Sequence, residues 1–232
     1  MADFPFDVVA FDLDGTLADT AFDLAAALNH TLGVLGRPGV EPESVRHLVG
    51  HGAKALLRKA LAEHGEPEIE PLVERGFPIY IDYYAANICD GTRLFPGLEQ
   101  AIEALAARGV AFAICTNKPA RLTDLLLDAL GWRDRFAAIV AADTLPVKKP
   151  DPLPLREAIA RAGGGRAAYV GDSIVDAETA RAAEIPFVAV SFGFSDRPVA
   201  ELGADAVIDS YAELVGALER LGHSLSPAGM RR

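Results

Sequence analysis

Short apolar runs recur along the chain: Val8 to Phe11, Val110 to Cys115, Ala137 to Ala141, Ala167 to Val170, Phe187 to Val190 and Ala206 to Ile208. Runs of this length without polar alternation predict strands that are covered on both faces. Amphipathic segments separate most of them: Leu98 to Ala107, Ala120 to Leu130, Leu153 to Ala162 and Val175 to Ala183. A last segment, Tyr211 to Leu221, puts Leu214, Val215, Leu218 and Leu221 on one helical stripe. Gly109, Gly131 and Gly163 fall where these helices should stop. Strands alternating with helices at this spacing predict an α/β fold with a parallel sheet between helical layers.

One interval breaks the rhythm. From Thr20 to about Arg93 there is no strand pattern. Leu24, Leu28, Leu32 and Leu35 make a helical stripe, with Asp19 or Thr20 placed to cap it. Leu56, Leu57, Ala60 and Leu61 mark a second helix after Gly50-His51-Gly52. A third helical stretch, Glu70 to Asn87, contains Gly76 and Pro78, which predict a kink or an interruption. The pattern therefore reads as a doubly wound, Rossmann-like sheet core formed by residues 1–19 and 95–222, with a helical cap inserted at 20–94. Residues 223–232 read as a polar, fraying tail.

Composition narrows the function classes. The 232 residues are half apolar, enough to bury a sizeable core, and 33 acidic against 22 basic side chains give a formal charge of −11. That balance argues against nucleic acid and anionic membrane as partners. No apolar stretch approaches a membrane span, and the first ten residues carry Asp3 and Asp7 but no Lys or Arg, unlike a secretory signal. With two cysteines, Cys89 and Cys115, neither a structural disulfide nor a zinc site is expected. The default expectation is a cytoplasmic protein, monomeric or homodimeric.

In an open parallel sheet, ligands collect where the carboxyl ends of the strands meet loops. The first run delivers Asp12 and Asp14, two apart and followed by Gly15, to that edge. Two like charges at about 4 Å repel by ~4 kcal/mol at an effective dielectric near 20, which a cation or a chemical task would justify. The second run is followed by Thr116, Asn117 and Lys118, the third leads to Lys148-Lys149-Pro150, and the fourth ends at Gly171-Asp172 with Asp176 one helical turn further on. Asp12, Asp14 and Asp172 are hard oxygen donors suited to Mg²⁺. Asp176 is placed to hold a metal-bound water or to orient a ligand from behind. Thr116 and Asn117 offer donors to an anion at a helix start. Lys149 is favoured over Lys148 as the cation, because Pro150 biases Lys149 toward an extended backbone.

These motifs, in this order, resemble the haloacid dehalogenase superfamily: Asp-Leu-Asp-Gly-Thr at Asp12 to Thr16, Thr116-Asn117, Lys149-Pro150 and Gly171-Asp172 with Asp176. Within it the chain looks most like the phosphoglycolate phosphatases, through Phe11 to Thr20, Gly50-His51-Gly52-Ala53 and Val147 to Pro150. The resemblance implies a Mg²⁺-dependent phosphatase acting on a small-molecule phosphate ester, with 2-phosphoglycolate as the implied substrate. Asp12 would be the nucleophile and Asp14 the general acid and base. Mg²⁺ would lie between Asp12, the backbone carbonyl of Asp14 and Asp172. Thr116, Asn117 and Lys149 would hold the transferring oxygens. An acid at Asp14 disfavours dehalogenases and phosphonate hydrolases.

In the cap, Gly50, His51, Gly52 and Lys54 are candidates for touching substrate. For His51 an outward-facing loop position is the alternative, and for Lys54 a solvated helix face. Tyr80, Tyr83 and Tyr84 read as cap core or a dimer contact. The rival activities are a sugar-phosphate or nucleotide phosphatase, a pyrophosphatase and a phosphoglucomutase-like enzyme. The last is weakened by Gly171 before Asp172 and by Ala53-Lys54 where an arginine would be expected. A non-catalytic scaffold that binds a partner through the cap is the rival from another class.

Overall fold

The computed structural model describes residues 4–195 and 197–224. Its strands are, in chain order, β1 (Val8–Phe11), β2 (Ala18–Asp19), β3 (Arg93–Leu94), β4 (Ala111–Cys115), β5 (Ala138–Val140), β6 (Ala167–Gly171), β7 (Phe187–Val190) and β8 (Ala206–Ile208). All but β2 and β3 form one six-stranded sheet in the order β5-β4-β1-β6-β7-β8, and every pair in it is parallel. β1 is central, with Phe11 in register with Ile114 of β4 on one side and Val170 of β6 on the other. From β1 the chain builds first toward β5 and then toward β8. The reversal leaves a crevice at the carboxyl ends of the middle strands.

Alternate residues of each strand serve opposite layers. Val9, Phe11, Phe112, Ile114, Val170 and Val188 pack with α4 (Leu98–Ala106), α5 (Ala120–Leu130) and α8 (Leu214–Ser224). Val8, Ala10, Ala113, Cys115, Tyr169 and Phe187 pack with α6 (Leu153–Arg161) and α7 (Ile174–Ala183). The doubly wound sheet expected from the apolar runs is present. α8 extends through Ser224, so the start of the expected tail is helical, and the rest, 225–232, lies outside the described residues.

The remaining helices, α1 (Ala21–Val34), α2 (Ala53–Glu63) and α3 (Ile69–Ala86), share their own buried cluster, which includes Leu28, Leu32, Leu57, Leu61, Val73, Tyr80 and Tyr84. Gly76 and Pro78 do not interrupt α3, which is continuous. A Cβ on Gly76 would sit 3.0 Å from Leu35 and 3.1 Å from Thr31, so the glycine lets α1 and α3 approach closely. That packing offsets the helix hydrogen bond that Pro78 cannot make. The expected cap at the start of α1 is also different. The Thr20 hydroxyl makes no capping bond and donates instead to Asp14, while Asp19 accepts from the backbone N–H of Ala21 at 3.3 Å.

The chain enters and leaves this helical layer side by side. β2 and β3 pair antiparallel, Ala18 opposite Leu94 and Asp19 opposite Arg93. Two-residue strands leave no periodicity for sequence reading to detect. The buried Asp23 carboxylate fastens the crossing, accepting from the N–H groups of Gly91 (2.9 Å) and Thr92 (2.8 Å) and from the Thr92 hydroxyl (2.6 Å).

Candidate active site

β1 ends at Phe11, and Asp12 follows it into the crevice. A pocket there is lined by Asp12 and Asp14, by Thr116, Asn117, Lys118 and Pro119 after β4, and by Gly50, Gly52, Ala53, Leu56, Tyr80 and Tyr84 from the helical layer. It encloses about 40 Å³ of water-accessible space, room for a small ligand.

Beneath the pocket lies a buried charge network. Lys149, 2% exposed, places Nζ 2.7 Å from Asp176 Oδ1, 2.9 Å from the Tyr169 hydroxyl and 2.9 Å from Asp12 Oδ1. The approach to Asp12 is an ion pair without hydrogen-bonding geometry, so Asp12 Oδ1 is buried with no donor among the described residues. Burial pushes the Asp12 carboxyl up to about 7; Lys149 opposes that rise and Asp176 reinforces it. Burial likewise raises Asp172 well above the usual carboxylate range, with Asp176 and Asp12 adding to it. For Asp176 burial works in the same direction but is overcome by Lys149 and the hydrogen bonds from Lys149, Ser173 and Tyr169, so this carboxyl is held low. Burial disfavours the Lys149 ammonium, yet Asp12 and Asp176 more than compensate and keep it protonated.

Asp12, Asp172 and Asp176 each bring a carboxylate oxygen into a group within 4.8 Å of one another. Asp176 is already saturated. Its Oδ2 accepts from Ser173 Oγ (2.6 Å), Ser173 N (3.0 Å) and Asp172 N (3.3 Å), a capping box that starts α7. Its other oxygen holds Lys149 rather than the water or ligand suggested by its position in the sequence. Asp172 accepts one bond per oxygen, from the Thr16 hydroxyl (3.0 Å) and from Phe194 N (2.6 Å). Asp12 and Asp172 are buried hard oxygen donors within that group of carboxylates, a donor set that fits a divalent cation such as Mg²⁺. The Asp14 side chain is not in that group. Its Oδ1 accepts from Lys118 Nζ and Thr20 Oγ1, each at 2.8 Å, so any metal contact from Asp14 falls to its backbone carbonyl.

The other predicted residues divide. Lys149 is inside, whereas Lys148 reaches the His51 carbonyl at 3.1 Å. Thr116 lines the pocket and its hydroxyl accepts from Lys118 N. Asn117 spends its side-chain N–H donors on the carbonyls of Lys149 (3.1 Å) and Gly50 (3.3 Å), joining the helical layer to the sheet. Gly50 and Gly52 line the pocket, while His51 is exposed and outside its lining. Lys54 is not among the residues that line the pocket. It pairs with Glu74 at 2.7 Å and lies over Phe77, on the solvated side of α2. Tyr80 and Tyr84, expected as cap core, are buried but also form the pocket wall, and Tyr83 stacks on His30.

Some participants were not found from the sequence. Tyr169 sits within an apolar strand and looks like core, yet its hydroxyl lies 2.7 Å from Asp176. The turn after β7 brings Gly193 against Asp172 and the Gly15 carbonyl, closer than any Cβ would permit. Its signal was available, because Gly193-Phe194 follows an apolar run just as the other site residues do.

The model of the haloacid dehalogenase-like hydrolase family matches residues 9–190. The chain belongs to that family, and within it the similarity is to phosphatases. It is 42% identical over 214 residues to a phosphoglycolate phosphatase of Agrobacterium fabrum, covering 90% of each chain. It is 42% identical over 212 residues to one from Caulobacter vibrioides, covering 89% of this chain and 88% of the relative. Among solved structures, a predicted phosphoglycolate phosphatase from Haemophilus somnus superposes with a TM-score of 0.84 at 29% identity, over 91% of this chain and 97% of that one. CbbY from Rhodobacter sphaeroides in complex with phosphate superposes at 0.77 and 26% identity, over 92% and 99%.

Proposed function

We propose that this protein is a Mg²⁺-dependent phosphatase that hydrolyses 2-phosphoglycolate to glycolate and phosphate through a phosphorylated Asp12. The observation that carries the reading is the buried Asp12 carboxylate at the end of β1, which lines a pocket together with Asp14 and Thr116 and is backed by Lys149. Asp12 attacks phosphorus in line, and the bond from phosphorus to the ester oxygen breaks. Asp14 gives its proton to the departing alkoxide, then takes one from the water that attacks the acyl phosphate and regenerates Asp12. Asp12, Asp172 and the Asp14 carbonyl would hold Mg²⁺, which would supply positive charge against the negative charge of the phosphoryl oxygens. Lys149 and the Thr116 hydroxyl serve the same charge from the protein side. The side-chain donors of Asn117 are engaged, so its contribution comes from the backbone N–H. Asp176 and Tyr169 position Lys149. The helical insert at 20–94 is read as a cap that closes over a small ester and excludes bulk water.

The similarity to phosphoglycolate phosphatases supports 2-phosphoglycolate over hexose phosphates or nucleotides. The test is phosphate release with Mg²⁺ from 2-phosphoglycolate, glucose 6-phosphate, a nucleoside monophosphate and pyrophosphate, with Asp12→Asn as control. We expect kcat/KM for 2-phosphoglycolate to exceed the others at least tenfold and to vanish in the variant. Equal rates across the panel would overturn the substrate, and undiminished turnover by Asp12→Asn would overturn the mechanism.

A further inference from the structure

The same pocket carries polar groups to which the proposed phosphoryl transfer assigns no role. Of the pocket's lining residues, Lys118 alone is cationic, and it is only 5% exposed. An ammonium has three donors. Two are directed at Asp14 Oδ1 (2.8 Å) and the Tyr84 hydroxyl (2.7 Å). Beside them Tyr80, 1% exposed, lines the pocket with a hydroxyl that has no hydrogen-bond partner among the described residues. Burial, with Asp14 adding to it, keeps the Tyr80 phenol protonated, so it is a donor that lacks an acceptor. A buried hydroxyl without an acceptor is destabilising, and a ligand oxygen would supply the missing partner. The surrounding wall, Leu24, Val49, Ala53, Leu56 and Leu122, is apolar.

We infer that Lys118 and Tyr80 form a carboxylate-recognition subsite that selects phosphate esters carrying a second anionic group one carbon from the ester oxygen. The inference rests on the phosphatase reading and deepens it. A second negative charge beside Asp12 and Asp14 would be repelled unless a cation received it. Lys149 lies below the pocket against Asp12 and Asp176, at the phosphoryl end, and the cation that lines the pocket itself is Lys118. The third ammonium donor and the Tyr80 hydroxyl can each meet one carboxylate oxygen. An uncharged tail would leave both donors unmet, which is how a polar site rejects an analogue that lacks the matching group. Sequence alone gave Lys118 no part, because a lysine after a strand looks like any other surface cation.

The test compares two esters of similar size, 2-phosphoglycolate and ethyl phosphate, on wild type, Lys118→Met and Tyr80→Phe. Wild type should prefer 2-phosphoglycolate at least a hundredfold in kcat/KM. Lys118→Met also disturbs Asp14, so both substrates lose rate and the ratio is the readout. That preference ratio should fall at least tenfold. Tyr80→Phe, which keeps the ring and the packing, should raise KM for 2-phosphoglycolate about tenfold and leave ethyl phosphate unchanged. Parallel losses on both esters in both variants would overturn the subsite while sparing the phosphatase reading. A wild type that cleaves neither ester would overturn that reading instead.

Discussion

Replacing the nucleophile should make the metal-free protein more stable, in a pH-dependent way. Asp12→Asn keeps the side-chain shape and removes a charge that the fold buries. The carboxyl is pushed up to about 7 from a reference of 3.8, so the unfolded chain loses its proton well before the folded one does. A raised carboxylate pKa favours the fold most fully below the unfolded value, and that contribution is lost as pH rises through the folded one. Relative to a neutral amide, ionisable Asp12 therefore costs the fold about 1.7 kcal/mol at pH 5 and about 4 kcal/mol at pH 8, at 1.36 kcal/mol per pKa unit. Urea unfolding in EDTA at the two pH values should show Asp12→Asn stabilised at both, with the gain larger at pH 8 by roughly 2–3 kcal/mol. Saturating Mg²⁺ should narrow the gap by stabilising the wild type selectively. A variant that is destabilised at pH 8, or whose effect is the same at both pH values, would refute the electrostatic account.

Asp176→Asn removes the anion that holds Lys149 and weakens the capping box of α7, so thermal or urea unfolding should show a loss of about 3–5 kcal/mol together with loss of phosphatase activity. Gly193→Ala would drive a methyl group into Asp172 and the Gly15 carbonyl, and calorimetry should show Mg²⁺ affinity falling by at least tenfold. Asp23→Ala leaves the N–H groups of Gly91 and Thr92 without their acceptor, and should cost about 1–3 kcal/mol and speed hydrogen exchange at those two amides.

Much of the core was legible because a sheet buried on both faces writes itself as apolar runs, and because residues just past those runs must face the crevice. Asp12, Asp14, Thr116, Asn117, Lys149 and Asp172 all came from that rule. The helical layer was legible from its leucine stripes and from the absence of strands. Only the continuity of α3 was missed, because Gly76 and Pro78 suggested a break and Gly76 instead allows close packing against α1. For Lys54 the sequence left two readings open, and the structure places it against Glu74 because a helical position next to a pocket residue points about 100° away from it. Tyr80, Tyr84, Lys118 and Tyr169 escaped for a common reason. Their chemistry lies in what a hydroxyl or ammonium meets across the fold, and residue type and spacing carry no trace of that.

Phe194 joins two parts of the molecule through one residue. Its peptide N–H donates to Asp172 at 2.6 Å, while its ring is buried in the cluster of α1, α2 and α3, with the Arg46 guanidinium 5.1 Å above it. A single residue thus ties the packing of the three helices to the Asp172 carboxylate at the end of β6, so the two cannot be altered independently at this position.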